Sequence, residues 1–253
     1  MILLIDAGNT RLKSAWLAGG GLADQPAVVH RDAPPAAWAA AVFDGRRRAT
    51  RVLASNVAGA AMSETLARLA REAYGVEVEF VTAAPELLGV VNGYLDPGQL
   101  GVDRWFAVIG AWLRVRGAVC VVDAGTAVKV DSVDAAGRHL GGFIVPGLRM
   151  MHEALMRRTS DIAAAAARGT RAPGGVLADN TVTAVSRGAL LALAGLVDRT
   201  LDMAERAAGV APRLILTGGD AGALAEIMRV PHEVAPNIVL EGLAAFAARP
   251  ARS

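Results

Sequence analysis

Two stretches of this sequence carry residue types suited to holding a charged ligand, and they are near copies of each other. "LLIDAGNTRLK" places Asp6, Ala7, Gly8, Asn9 and Thr10 after an apolar run and follows them with Arg11, Leu12 and Lys13. "CVVDAGTAVKV" repeats the pattern around Asp123, Gly125, Thr126 and Lys129. A tight Asp-x-Gly turn between strands exposes several backbone N–H groups on one side, and Gly lets a large anion approach them. Such a turn can cradle phosphate. The carboxylate itself repels phosphate, so its chemistry is to hold a cation, or the water shell of Mg²⁺, that bridges to phosphate oxygens. Asp and Gly are also ordinary hairpin residues, and one copy alone would read as a turn. Two copies point to a polyphosphate gripped from both sides. The only lysines of the chain, Lys13 and Lys129, follow the two aspartates by seven and six residues in a sequence that otherwise uses Arg. A compact ammonium at those places suits phosphate contact. A third Gly-rich strand exit, "LTGGDA" (216–221), would let a nucleoside or outer phosphates lie against Gly218 and Gly219.

Between the two copies lies "NGYLDPGQLGVDRW" (92–105), broken by Pro97 and three glycines. Asp103 stands near the start of a predicted helix, where an acidic residue is favoured by the dipole and where it could equally face a substrate hydroxyl. Arg104 can pair a ligand carboxylate through two parallel hydrogen bonds, or form a surface salt bridge. Tyr94, one of two tyrosines, reads as a core-edge aromatic or a ligand contact. Thr181 follows Asn180 at the start of a later helix; either can cap it.

These residues need elements to position them. In the first half the pattern predicts strands at 2–6, 12–17, "RVLASNV" and "VEVEFVT", an amphipathic helix "AAMSETLARLAREAYG" closed by Gly75, and a helix over 102–115. The second half restarts with strands at 118–122 and 127–133, a "DAAG" turn, and a third strand ending at Pro146-Gly147. A helix from 148, a loose Ala/Gly/Pro stretch over 163–175, a long helix to 208, the strand "RLILT" and a closing helix "NIVLEGLAAFAA" complete it. The same hairpin, third strand, helix and strand order in both halves is what tandem duplication of one α/β unit gives.

Composition excludes several classes. Of the 253 residues 53% are apolar, enough for a substantial core, and the net charge is only +2. The one dense basic cluster, "GRRRATR" (45–51), has no interleaved aromatics and reads as a solvated loop, so no nucleic-acid partner is expected. No uninterrupted apolar run spans a bilayer and the start lacks a signal peptide, so a cytoplasmic, membrane-free protein is expected. Cys120, the only cysteine, lies in an apolar run and reads as a core residue. The four histidines are scattered.

The motifs "DAGNTRLK", "NGYLDPGQLGVDR", "DAGTAVKVD", "GGFIVPG" (141–147), "NT" (180–181) and "TGGDA" occur in an order that resembles the ATPase superfamily of actin, hexokinase-type sugar kinases and heat-shock chaperones. Within it they are most similar to the type III pantothenate kinases, the Bvg accessory factor family. The resemblance implies an α/β fold of two duplicated ribonuclease-H-like α/β domains, 1–116 and 117–253, with an active-site cleft between them. It implies ATP-dependent phosphorylation of pantothenate on its terminal hydroxyl, the first step towards coenzyme A. Asp6, Ala7, Gly8, Asn9, Thr10, Arg11, Leu12 and Lys13 would then form the first ATP loop, and Thr126 would touch ATP phosphate. Tyr94, Gly101, Val102, Asp103 and Arg104 would contact pantothenate, with Asp103 as catalytic base. Thr181 would reach pantothenate from the neighbouring subunit of a homodimer. Asp123 would hold a monovalent cation, potassium or ammonium, needed beside Mg²⁺. One position departs from the family pattern: Lys129 stands where Thr is common, which puts the cation dependence in question. The rival readings are a sugar or small-alcohol kinase of the same fold and a non-catalytic nucleotide-binding regulator.

Overall fold

A computed structural model describes residues 1–158 and 177–249; the stretch expected to be loose, 163–175, lies outside them. By spatial contact the chain forms two compact units. The first takes residues 1–117, 133–141 and those from 237 onward; the second takes 118–132 and 142–236. The units are therefore interleaved along the chain, whereas the sequence suggests one division after residue 116. The described helices are α1 (Ala39–Val42), α2 (Ala60–Tyr74), α3 (Val102–Val115), α4 (Leu148–Arg158), α5 (Thr181–Ala208), α6 (Ala221–Ala225) and α7 (Ile238–Ala247).

In the first unit β1 (Ile2–Ala7), β2 (Arg11–Ala18), β3 (Gly21–Asp24), β4 (Val28–Val29), β5 (Arg51–Asn56) and β6 (Val78–Phe80) form one sheet. Its order is β3-β2-β1-β5-β6, with β4 also on β2. β1 runs antiparallel to β2 and parallel to β5. Alternation along β1 and β5 decides the two layers. Leu3, Ile5, Val52 and Ala54 face a core shared with Trp16, Trp38, Leu66, Ala70 and Tyr74. Leu4 and Leu53, fully buried, point the other way, towards the side on which α7 packs. α2 stops where Gly75 takes a left-handed φ of 70° and donates its N–H to the Arg71 carbonyl. A small antiparallel hairpin, β7 (Glu86–Leu87) and β8 (Val90–Val91), precedes α3.

In the second unit β9 (Val119–Ala124), β10 (Ala127–Val133), β11 (His139–Pro146), β12 (Arg213–Thr217) and β13 (His232–Val234) take the order β11-β10-β9-β12-β13. β12 is parallel to both β9 and β13. Counted from the first strand of each unit, both sheets read third, second, first, then the two parallel strands. That identity of topology is the duplication expected from sequence. The second core gathers Cys120, Val122, Val128 and Val130 with Leu193, Val197, Leu214 and Leu216. α5 is long and apolar enough to cross a membrane by length and mean hydropathy, but Arg187 and Asp198 interrupt its apolar run. Its Leu193, Ala194 and Val197 are core residues here.

Two helix contacts in the first unit are set by glycine. A Cβ on Gly110 of α3 would collide with the Ile238 carbonyl of α7, and one on Gly242 of α7 would collide with the Phe106 carbonyl of α3. The helices therefore cross with their backbones touching. Gly110→Ala is expected to cost about 1–3 kcal/mol, the usual penalty of overpacking a close contact, measured as a lowered urea midpoint with little change in slope. In the second unit, burial pushes the Cys120 thiol up to about 12, so at pH 8 it is neither accessible nor a thiolate. A disulfide-exchange reagent should leave it unmodified in the folded chain and titrate one thiol after denaturation.

Candidate active site

The first hairpin closes tightly: the Gly8 N–H donates to the Arg11 carbonyl at 3.0 Å. This leaves Asn9 and Thr10 at the tip. Asp6 stands directly across from Lys13 in the β1–β2 register, and Ala7 across from Leu12. Directly opposed residues share a face, so the acid and the base of this loop are neighbours. The tip is held from outside by a residue that sequence spacing gave no reason to select. A ring nitrogen of His30 lies 2.6 Å from the Gly8 carbonyl, and the His30 N–H donates to the Thr10 carbonyl at 3.1 Å. Trp38 meets the imidazole edge-on at 6.4 Å.

The second hairpin is closed by the Gly125 N–H on the Ala127 carbonyl at 3.3 Å. Its turn is one residue shorter than the first. That difference accounts for the spacing of six between Asp123 and Lys129 against seven between Asp6 and Lys13. Lys129 Nζ donates to Asp123 Oδ2 at 2.8 Å. Two neighbouring turns buttress this tip. Gly147 donates to the Thr126 carbonyl at 3.0 Å, and the Asp220 N–H donates to the Ala124 carbonyl at 2.9 Å. The latter seats the Thr217–Ala221 exit on the hairpin. Only glycine fits at 218, where φ is +95° and a Cβ would run into the Ala124 carbonyl.

The segment from Asn92 to Arg104 forms one connected structure within the first unit. Asn92, buried, accepts from the Tyr94 N–H at 3.0 Å and donates to the Ala84 and Pro97 carbonyls. Asp96 caps the short turn Pro97–Gln99 by accepting from the Gly98 N–H. Gly101 then precedes α3, and a Cβ there would sit 2.8 Å from Asp103 Oδ1. The glycine is thus what lets the Asp103 carboxylate fold back over the helix start, where it accepts from the Arg104 N–H at 2.8 Å. Asp103 and Arg104 are 8% and 5% exposed, so Arg104 is no surface salt bridge. Arg104 Nη1 donates to Tyr94 Oη at 2.8 Å, and the guanidinium carbon lies 5.5 Å from the centre of the same ring.

The Tyr94 ring is also stacked on His139, with centroids 5.9 Å apart and planes within 18°. His139 arrives from the β10–β11 turn. That turn is seated on the β7–β8 hairpin by the Val91 N–H on the Gly137 carbonyl and by a backbone approach that needs Gly137 at φ +85°. His139 is 3% exposed. No sequence signal selects it, since the stacking partner lies 45 residues earlier.

The first unit thus brings Tyr94, Gly101, Asp103 and Arg104 into one cluster, with Val102 in the same first turn of α3. Thr181 begins α5 in the second unit, but the cap is Asn180, whose Oδ1 accepts from the Thr183 N–H at 2.9 Å. Thr181 is left exposed at the rim of an apolar groove of about 640 Å³ lined by Met150, Met151, Leu155 and Val185.

Residues 2–203 match the family described as type III pantothenate kinase. A type III pantothenate kinase of Nitrosococcus oceani is 35% identical over 98% of this chain and 94% of its own length. That of Aromatoleum aromaticum is 38% identical over 98% of both. Among solved structures, a conserved Baf-family protein of Campylobacter jejuni superposes with a TM-score of 0.59 at 19% identity, over 96% of each chain. An archaeal actin homologue superposes with a TM-score of 0.51 at 13% identity, over 98% and 99% of the two chains. The fold is therefore shared with these solved structures, and by its sequence the chain belongs to the type III pantothenate kinase family.

Proposed function

We propose that this chain transfers the γ-phosphoryl group of MgATP to the terminal hydroxyl of pantothenate, the first step towards coenzyme A. The observation that carries this reading is the cluster of buried Asp103 and Arg104 with half-buried Tyr94 behind Gly101, in a chain of this family. A guanidinium held in place at a tyrosine hydroxyl suits a small carboxylate-bearing substrate. A carboxylate one residue away suits the alcohol of the same substrate.

In the proposed reaction Arg104 and Tyr94 bind pantothenate, with Gly101 and Val102 shaping the wall beside them. Asp103 orients the hydroxyl and accepts its proton as the new P–O bond forms and the bond from the γ-phosphorus to the bridging oxygen of ADP breaks. Phosphoryl transfer through a loose transition state needs that proton removed only late, so a positioned carboxylate suffices. The backbone of residues 7–13 and, in the second unit, Thr126 contact ATP phosphate, and Asp6 would meet the nucleotide only through a bridging cation. Among the described residues no group of three or more His, Cys, Asp or Glu is arranged to hold a metal by itself. A strand-end carboxylate such as Asp6 would fit Mg²⁺ that enters with the nucleotide, since that ion takes one or two carboxylates plus substrate phosphates. When bound, Mg²⁺ neutralises charge on the phosphates. Most of the rate acceleration is then positioning and fixed dipoles.

The exposed Thr181 at the edge of an apolar groove supports a homodimer in which this residue reaches the neighbouring subunit's pantothenate. We place the enzyme in the cytoplasm, where its substrates are.

Direct detection of phosphopantothenate from pantothenate and MgATP tests the reading; phosphorylation of a sugar instead would refute it. Asp103→Asn should leave ATP binding nearly intact and lower kcat at least about a hundredfold, the scale of a positioned base. Tyr94→Phe removes the hydroxyl that receives Arg104. It should raise the KM for pantothenate about tenfold, as loss of one charge-assisted hydrogen bond does, with the KM for ATP unchanged.

A further inference from the structure

Asp123, next to last in β9, has a carboxylate with one oxygen bonded to a lysine of the same hairpin and the other beside two glycines. Oδ2 accepts from Lys129 Nζ at 2.8 Å, and the paired side chains are only 26% and 22% exposed, Asp123 and Lys129 respectively. Oδ1 lies against backbone: an added Cβ on Gly218 would come within 2.6 Å of it, and one on Gly125 within 3.4 Å. The carboxylate is thus clamped between its own hairpin and the turn after β12, with one oxygen bonded to a cation that belongs to the chain. Asp131, two residues beyond Lys129, lies on the same face of β10 and is buried.

The family resemblance leads one to expect a potassium or ammonium ion at Asp123, and these residues do not fit one. The oxygen that would take the ion already takes an ammonium, and a second cation there would meet a like charge. The lysine head has the charge and the N–H donors of a free ammonium ion. It differs in being tethered six residues from its carboxylate on the return strand of the same hairpin. A tethered partner has a local concentration that no change in the surrounding salt alters.

We propose that the ε-ammonium of Lys129 is the resident monovalent cation of this enzyme, which therefore turns over without potassium or ammonium in solution. The inference rests on the kinase reading above. It is tested with protein exchanged into buffer whose only monovalent cation is tetramethylammonium. Phosphopantothenate is measured directly by mass spectrometry, so that no coupling enzyme brings a potassium requirement of its own.

The wild-type rate should change by less than about twofold when potassium or ammonium chloride is added. Lys129→Thr should lose at least about tenfold in tetramethylammonium, a conservative figure for a lost charge beside a transferring phosphoryl group, and recover with potassium or ammonium. A second readout needs no turnover. Calorimetry should find the same affinity of the wild type for MgADP with and without potassium, and a potassium-dependent affinity for Lys129→Thr. Wild-type protein that works only with added potassium or ammonium, or whose MgADP affinity rises about tenfold with potassium, overturns the assignment, whether or not Lys129→Thr folds. Absence of pantothenate turnover in every salt counts against the kinase reading instead, and the calorimetry then still decides the role of Lys129.

Discussion

A carboxylate at the closed end of a β-hairpin has to be compensated, and each half of this chain does so from its own return strand. Asp6 faces Lys13 across the β1–β2 ladder, and Asp123 is bonded to Lys129. The pairing is as local as a pairing can be: it forms when the hairpin forms. It also fixes register, because slipping either strand by one residue would turn the lysine to the opposite face. The second turn is one residue shorter than the first, and the lysine spacing shortens with it, so the juxtaposition of acid and base survives the difference. The local charge balance of both loops therefore depends on side chains of the hairpins themselves.

The cluster around Asp103 is organised by a different constraint, the approach of backbone to side chain at glycine. Gly101 admits the Asp103 carboxylate over the start of α3, and Gly93 admits the His139 backbone, since a Cβ at 93 would collide with the His139 carbonyl. With these spaces filled, Tyr94 is held on one face by His139 and at its hydroxyl by Arg104. Three side chains drawn from a loop, a helix start and a distant turn thereby lose their rotamer freedom when the first unit folds, and not when substrate arrives. Catalysis that relies on placement gains from entropy lost in advance.

Much of this was legible in the sequence. The two apolar-run hairpins, the helix over 102–115 and the long helix to 208 follow from periodicity and from cap residues at their ends, because those signals are local. The Asp-Ala-Gly repeats and the isolated lysines pointed to paired loops for the same reason. What sequence could not give is contact at long range. His30 holds the first turn and His139 stacks on Tyr94, yet both read as scattered, since nothing in their neighbourhoods marks their partners. Thr181 and Asn180 looked equally able to cap α5; the backbone chose Asn180 by placing it, and not Thr181, in the extended conformation of a cap. The short strands β7, β8 and β13 carry too few residues to show a period. They exist because of what they pair with.

The crossing of α3 and α7 has a bearing on biosynthesis. α7 covers one side of the first sheet and touches α3 backbone to backbone, yet it is encoded more than 100 residues after α3. While the ribosome is still making the middle of the chain, Leu4, Leu53 and the Phe106 side of α3 lack the cover that α7 gives them. The early-made unit must therefore wait, partly open, until the late-made helix emerges, and a nascent chain stalled before residue 237 would present a greasy flank to chaperones.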